Sequence, residues 1–335
     1  MPNTTGSSRG WRSRKKQRLY FTSHLLDLAV APLVNPRQTL VVSGFWRSGT
    51  TWLQESLADL LAAKMMFEPF HYSVPETQQY YREIQLPEDD IFLRAFLPYA
   101  HAPLEGTLAR LVRQSLRSTL ASPWARNLRH RPQLALSLRR RVVVKFVRAQ
   151  LCLRAIHDSF GVPVVHLYRD PRAVIASAVY KTDRMWGNFE PFSLRRQLLE
   201  VSDGRAAYFG QWVEVIHRFD EKPFPLQFAA YWMLTERFLA DSMAGADASR
   251  VRFVQYEQIA AEPDTAIPQI LSDLSLPFHP LEGGRSFHKD SPSTTRRGQT
   301  SGERVHGWMK LLSETEIREI SALARDFGFA DRLVD

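Results

Sequence analysis

Short apolar runs punctuate the chain, and most are followed by a segment with helical spacing. Residues 39–43 (TLVVS) are rich in β-branched side chains and end at Gly44, which predicts a buried strand. Residues 50–64 (TTWLQESLADLLAAK) set Leu53, Leu57, Leu60 and Leu61 on one face, which predicts a helix directly behind that strand. Further strands are predicted over 142–147 (VVVKFV), 162–168 (VPVVHLY) and 251–256 (VRFVQY). Helices follow from Ala173 to Lys181 and from near Pro263. The strands read as near-continuous apolar runs and do not alternate, so both of their faces are covered. Strands of that kind, interleaved with helices, form a three-layer α/β fold with a parallel sheet. Glycines and polar residues dominate 283–310, which reads as a long loop. Ser313 and Glu316 then match a capping box that opens a terminal helix. No repeat and no clear linker interrupts this order. The expected organisation is a basic tail with a short helix over 1–36 and one domain over 37–335.

Charge changes the picture in two places. Lys and Arg number 44 against 35 Asp and Glu, a net charge of +9. From Gly106 to His157 there is no acidic residue and there are twelve basic ones, with Arg110, Arg113 and Arg117 spaced along one helix face. Such a stretch is either a solvated face or an attractor of an anionic ligand, polymer or membrane surface. Arg9, Arg12, Arg14, Lys15, Lys16 and Arg18 precede a mostly apolar segment, Leu19 to Val34. Two readings of that segment stay open. With Ala29-Val30-Ala31 as a cleavage site it is an export signal. With Asp27 interrupting it, it is a helix packed on the domain, in peripheral contact with a membrane surface. No apolar run reaches the length of an ordinary membrane span. A single cysteine, Cys152, excludes an internal disulfide framework and a Cys-rich zinc site, and suits a reducing cytoplasm.

The most informative segment is Val41 to Gln54 (VVSGFWRSGTTWLQ), where a strand passes through a glycine-bearing loop into a helix. Backbone N–H groups at such a helix start point at an anion, and the helix dipole favours negative charge. The spacing is that of a G-x4-G-K-[ST] phosphate loop, with Thr50 where the lysine belongs and a cation, Arg47, inside the loop. A nucleoside triphosphate and its Mg²⁺ call for that lysine. Its loss argues for another anion.

Arg47-Ser48-Gly49-Thr50-Thr51-Trp52 after a strand resembles the 5′-phosphosulfate loop of sulfotransferases. Residues 164–180 (VVHLYRDPRAVIASAVY) resemble the same family's 3′-phosphate segment. Tyr256-Glu257-Gln258-Ile259 and Arg296-Arg297-Gly298 resemble two further segments, although Gly302 and Trp308 depart from the usual spacing after the last. Together the matches span about 40–310. The resemblance implies the sulfotransferase fold and the donor 3′-phosphoadenosine 5′-phosphosulfate (PAPS), leaving 3′-phosphoadenosine 5′-phosphate (PAP), with no metal. By the same resemblance Ser48, Gly49, Thr50 and Thr51 hold the 5′-phosphate. Arg169, Ser177, Arg296, Arg297 and Gly298 hold the 3′-phosphate. Tyr256 lies near adenine, and Trp52 either stacks on it or is core.

The phrase VVVKFVRAQLCLRAI and the segment Phe67-Glu68-Pro69-Phe70 resemble carbohydrate sulfotransferases more than the cytosolic phenol and steroid branch. The catalytic histidine of that second branch falls at Val147 here, so the base lies elsewhere. Glu68 is the first candidate: among aromatics its pKa is expected to be raised, as suits a general base. His71 is the second. Arg47 and Lys145 are expected to stabilise charge on the sulfonate and the departing phosphate oxygen. The acceptor is then a hydroxyl of a carbohydrate or glycolipid, for which the aromatics at 67–99 and Trp186 offer stacking surfaces. No specific nucleic acid is expected as a partner. The alternatives are a small-molecule kinase on the same loop, or a non-catalytic relative that binds the nucleotide.

Overall fold

The computed structural model describes residues 7–126, 134–180, 192–279, 287 and 305–334. Its centre is a five-stranded sheet in the order β2-β3-β1-β4-β5, every neighbouring pair parallel. The strands are β1 Leu40–Ser43, β2 Lys64–Phe67, β3 Val142–Phe146, β4 Val164–Tyr168 and β5 Val251–Gln255. Successive side chains leave opposite faces of a strand. Leu40, Val42, Val143, Val165 and Leu167 accordingly pack on one side, with Leu53 and Leu57 of the Thr50–Leu60 helix and with Ile267 and Leu271 of the Pro263–Asp273 helix. Val41, Val144, Phe146 and Val164 pack on the other side, against Leu111 and Val112 of the Gly106–Leu116 helix and Leu153 and Ile156 of the Leu153–Phe160 helix. Sealed on both faces, the sheet is the middle of three layers, as the continuous apolar runs predict.

Four of the strands fall where the sequence places them, each trimmed at its ends. The fifth, β2, does not emerge from the pattern. The helix expected to reach residue 64 stops at Leu60, and Lys64 opens β2. A buried lysine conceals the strand, and its charge is met from afar. Lys64 Nζ lies 2.9 Å from Asp27 Oδ1, both side chains almost wholly buried, and Asp27 also pairs with Arg126. Asp27 belongs to the Ser7–Val30 helix, which is 24 residues long and not the short helix expected within 1–36. Ser23, one turn before Asp27, bonds Ser137 Oγ at 2.8 Å.

Arg110 and Arg113 stand exposed on the Gly106–Leu116 helix and Arg117 is exposed at its end, a placement common to both readings of that basic face. Ser313 and Glu316 form the capping box of the Glu314–Asp326 helix. Behind β4 a buried charged cluster ties the C-terminal segment down. His166 Nε2 lies 3.1 Å from Glu236 Oε2, and Arg332 Nη1 donates to the same oxygen at 2.6 Å. Burial raises the Glu236 pKa, but His166 and Arg332 overcome it and hold the carboxyl down to about 2. No helix among the described residues is long and apolar enough to cross a membrane.

Candidate active site

All five strands run the same way, so their C-terminal ends meet on one edge, and each of them feeds the candidate site. β1 leads through residues 44–49 into the Thr50–Leu60 helix. Gly49 caps that helix in a left-handed conformation (φ +95°) with no side chain bonded across the cap, and the first turn holds no acidic residue. The leading N–H groups of a helix have no intrahelical partner, so this end is open to an anion. The loop has to be bare at its glycines. A Cβ on Gly49 would meet the Tyr256 ring at 2.6 Å, and one on Gly44 would meet the Leu167 carbonyl oxygen at 2.5 Å. Arg47 adopts a left-handed φ of 69°, which side-chain-bearing residues hold only under constraint. The Ser48 hydroxyl is buried and has no hydrogen-bond partner among the described residues. An uncapped helix start, a bare loop and an orphaned buried hydroxyl together fit a phosphate-type group.

β4 supplies the second anion motif. Arg169 leaves the strand end and Ser177 sits on the following Pro171–Val179 helix. Arg47 Nε donates to Ser177 Oγ at 3.0 Å, and Arg169 Nη1 donates to the Arg47 carbonyl at 3.2 Å. The Arg169 guanidinium lies 4.3 Å above the Tyr256 ring, and its Nε is 3.7 Å from Glu257 Oε1. Burial first, and the adjacent Arg169 second, depress the Arg47 pKa. Two cations held this close in a buried site are what a multiply charged anion requires. Asp170 holds the strand-to-helix corner by accepting from Arg172 N at 2.8 Å and from the Arg172 guanidinium.

β2 and β3 supply the third group. Their register pairs Phe67 with Lys145, and Glu68 N donates to the Lys145 carbonyl at 2.9 Å. Lys145 Nζ is then 2.9 Å from Glu68 Oε1 and 2.8 Å from Thr51 Oγ1, and it sits 3.6 Å over the Phe67 ring. Arg148 Nη1 donates to Glu68 Oε2 at 3.1 Å. Glu68, like Arg47, has a left-handed φ, at 42°. Here the structure corrects the sequence reading. Burial alone raises the Glu68 pKa, but Lys145 and Arg148 outweigh it and bring the carboxyl down to about 2. Arg148 escaped the sequence reading. Its only signal is its place in the acid-free stretch, three residues after Lys145.

His71 is less suited to proton transfer. Its ring stacks on Trp124 at 4.0 Å, and Nδ1 accepts from Ser73 N at 3.1 Å. Burial, then Arg148, holds its pKa down to about 3. The ring is therefore neutral with its proton on Nε2 and offers no free basic nitrogen. Trp52 lies beside the anion loop, edge-on to Tyr256 at 5.8 Å, with Nε1 donating to the Phe287 carbonyl at 2.9 Å. Val147 is core. Arg296, Arg297, Gly298, Gly302 and Trp186 lie outside the described residues. Among those described, no three His, Cys, Asp or Glu side chains are grouped to hold a metal ion.

The sulfotransferase domain profile matches residues 37–291. No curated protein matches the sequence significantly. Among solved structures, the sulfotransferase domain of the curacin biosynthetic pathway is 14% identical, with 87% of this chain and 97% of that one covered and a TM-score of 0.45. The sulfotransferase domain of the Synechococcus PCC 7002 olefin synthase is 15% identical, with 87% and 94% covered and a TM-score of 0.43. Retinol dehydratase, in a complex with retinol and PAP, is 17% identical, with 87% and 81% covered and a TM-score of 0.39. The domain match spans most of the chain and identifies the enzyme as a sulfotransferase rather than the small-molecule kinase weighed as the alternative. The chain belongs to the sulfotransferase domain family and is a sulfotransferase.

Proposed function

We propose that this enzyme moves a sulfonyl group from PAPS to a hydroxyl of a carbohydrate or glycolipid, in a cytoplasmic setting, without a metal. The observation that carries the donor assignment is the contact between the two anion motifs, Arg47 Nε to Ser177 Oγ across 130 residues of sequence. PAPS carries a phosphosulfate and a separate 3′-phosphate, and the site offers two anion receptors joined at that contact. The 48–51 loop would hold the 5′-phosphate. Arg169 and Ser177 would hold the 3′-phosphate, and Trp52 and Tyr256 would border adenine. Arg296, Arg297 and Gly298 are proposed as further 3′-phosphate contacts on the family resemblance alone.

In the reaction the sulfur–oxygen bond to the phosphate breaks as a bond to the acceptor oxygen forms, and the acceptor proton leaves. Arg47 Nε, bonded here to Ser177, would turn to the sulfonate as charge grows on it. Lys145 bridges Thr51 of the loop and Glu68, so it can follow charge onto the departing phosphate oxygen. Glu68 stays ionised at neutral pH. A carboxylate held this acidic is a weak base, so it takes the proton late, once sulfur bonding has acidified the hydroxyl. His71 then orders the wall behind it.

The acceptor side supports a sugar. Phe67, Trp124 and Tyr72 surround the Glu68 turn and are only partly buried, and aromatic faces of this kind stack on pyranose rings. Calorimetry of PAP without metal, set against ATP with Mg²⁺, tests the donor. Micromolar PAP binding that is lost in Arg169→Ala supports the reading, and a preference for ATP with Mg²⁺ overturns it. Labelled-sulfonate transfer to a panel of glycans, glycolipids and phenols tests the acceptor. Transfer to phenols alone removes the carbohydrate assignment.

A further inference from the structure

The N-terminal helix is built inside out. Amphipathic helices of soluble domains turn their apolar stripe to the core. In the Ser7–Val30 helix two polar residues face inward alongside Val30: Ser23 and Asp27 are buried against Ser137, Lys64 and Arg126. The opposite face carries Phe21, Leu25 and Leu28, spaced i, i+4, i+7, and these are 61%, 49% and 44% exposed. Leu33, just past the helix end, is 56% exposed. A stripe of large apolar side chains left in water marks a surface that meets something else.

The charge around the stripe says what. Arg18 is exposed on the helix one turn before Phe21. Six Lys or Arg lie between residues 9 and 18, and no Asp or Glu precedes Asp27. An apolar stripe continued by a purely basic segment is the complement of an anionic lipid surface, where acyl chains take the one and phosphate headgroups the other. The helix is too charged to cross a bilayer and its inner face is ion-paired to the domain, so it lies on the membrane.

We propose that this helix docks the enzyme on an anionic bilayer, with Phe21, Leu25 and Leu28 inserted at the headgroup boundary and the basic segment on the lipid phosphates. The proposal is independent of the donor and acceptor assignments.

Flotation of the full chain with phosphatidylcholine vesicles, with and without added phosphatidylglycerol, tests it. The expected result is binding only to the phosphatidylglycerol vesicles, falling as salt rises. Phe21→Ser/Leu25→Ser/Leu28→Ser abolishes it while the variant still melts in one cooperative transition, since the three side chains are only partly buried. Arg18→Gln weakens it about fivefold at low salt. Unchanged binding in the triple variant overturns the proposal. So does wild-type protein that ignores phosphatidylglycerol vesicles. So does a wild-type dimer in solution that the triple variant dissolves, since the stripe is then an interface between two copies.

Discussion

Arg47 Nε donates to Ser177 Oγ at 3.0 Å, joining the first loop of the sheet to the helix behind its fourth strand. The same Arg47 receives Arg169 Nη1 on its carbonyl oxygen. One arginine of the first loop is thus tied twice to the second motif, through its side chain to Ser177 and through its backbone carbonyl to Arg169.

That double position predicts unequal effects. Ser177→Ala removes a hydrogen bond to a charged group and should weaken PAP about tenfold, with kcat little changed. Arg47→Ala should cut kcat more than PAP affinity, because the charge it stabilises grows only in the transition state. Calorimetry and steady-state rates on both variants check this. Equal losses in kcat and affinity for Arg47→Ala would count against its transition-state role.

Gly49 is fixed by Tyr256. Gly49→Ala places a methyl 2.6 Å from the ring atoms at a φ of +95°. We expect PAP affinity to fall about tenfold or more, the strain of a left-handed side chain adding to the clash. Gly49→Ala/Tyr256→Ala should be less impaired than the two single losses added together, since the ring that causes the clash is gone. A double-mutant cycle on PAP affinity measures the coupling, and strict additivity would show that the ring and the glycine act separately.

Acid should loosen the fold over a defined range. Free glutamate binds its proton near pH 4.5, whereas Glu68 and Glu236 in the folded chain are held down to about 2. Between those values unfolding takes up protons. The stabilisation is therefore complete above about pH 4.5 and drains away as pH falls toward 2. Urea midpoints across that range should show a steep decline in the wild type. Glu236→Gln should be less stable at neutral pH and decline less steeply below pH 4.5. A parallel decline would mean that Glu236 does not titrate in the range.

Among the described residues, Asp27 is the carboxylate that pairs with two buried cations, Lys64 and Arg126. Asp27→Ala strands both, and breaking a buried pair in this way costs about 3–5 kcal/mol. A markedly lower melting temperature is expected, with part of the loss recovered when Lys64→Met is added. An unchanged melting temperature would show that the helix is not held through this pairing.

Much of this was legible in the sequence, and the remainder has specific causes. The apolar runs at 40–43, 142–146 and 164–168 state their burial directly, whereas the edge strand 251–255 leaves Phe253 exposed, and both anion motifs are local in sequence. β2 was hidden because Lys64 opens it, and nothing nearby in sequence shows that Asp27 will neutralise that lysine. The acidity of Glu68 was hidden for a related reason. It depends on the register that sets Phe67 opposite Lys145, and on Arg148 reaching back from beyond β3. An aromatic neighbourhood can be read from a string of letters. The two cations that overrule it come from β3 and the turn after it, 77 and 80 positions away.

The strand order divides the site. β1 is the seam of the sheet. On one flank β4 and β5 lead into Arg169, Ser177 and Tyr256, and on the other β3 and β2 lead into Lys145 and Glu68. On the proposed assignment, the nucleotide contacts and the acceptor contacts fall on opposite flanks and meet at the loop after β1. A substitution confined to the Glu68 side would then alter the choice of acceptor while leaving Arg169, Ser177 and Tyr256 in place.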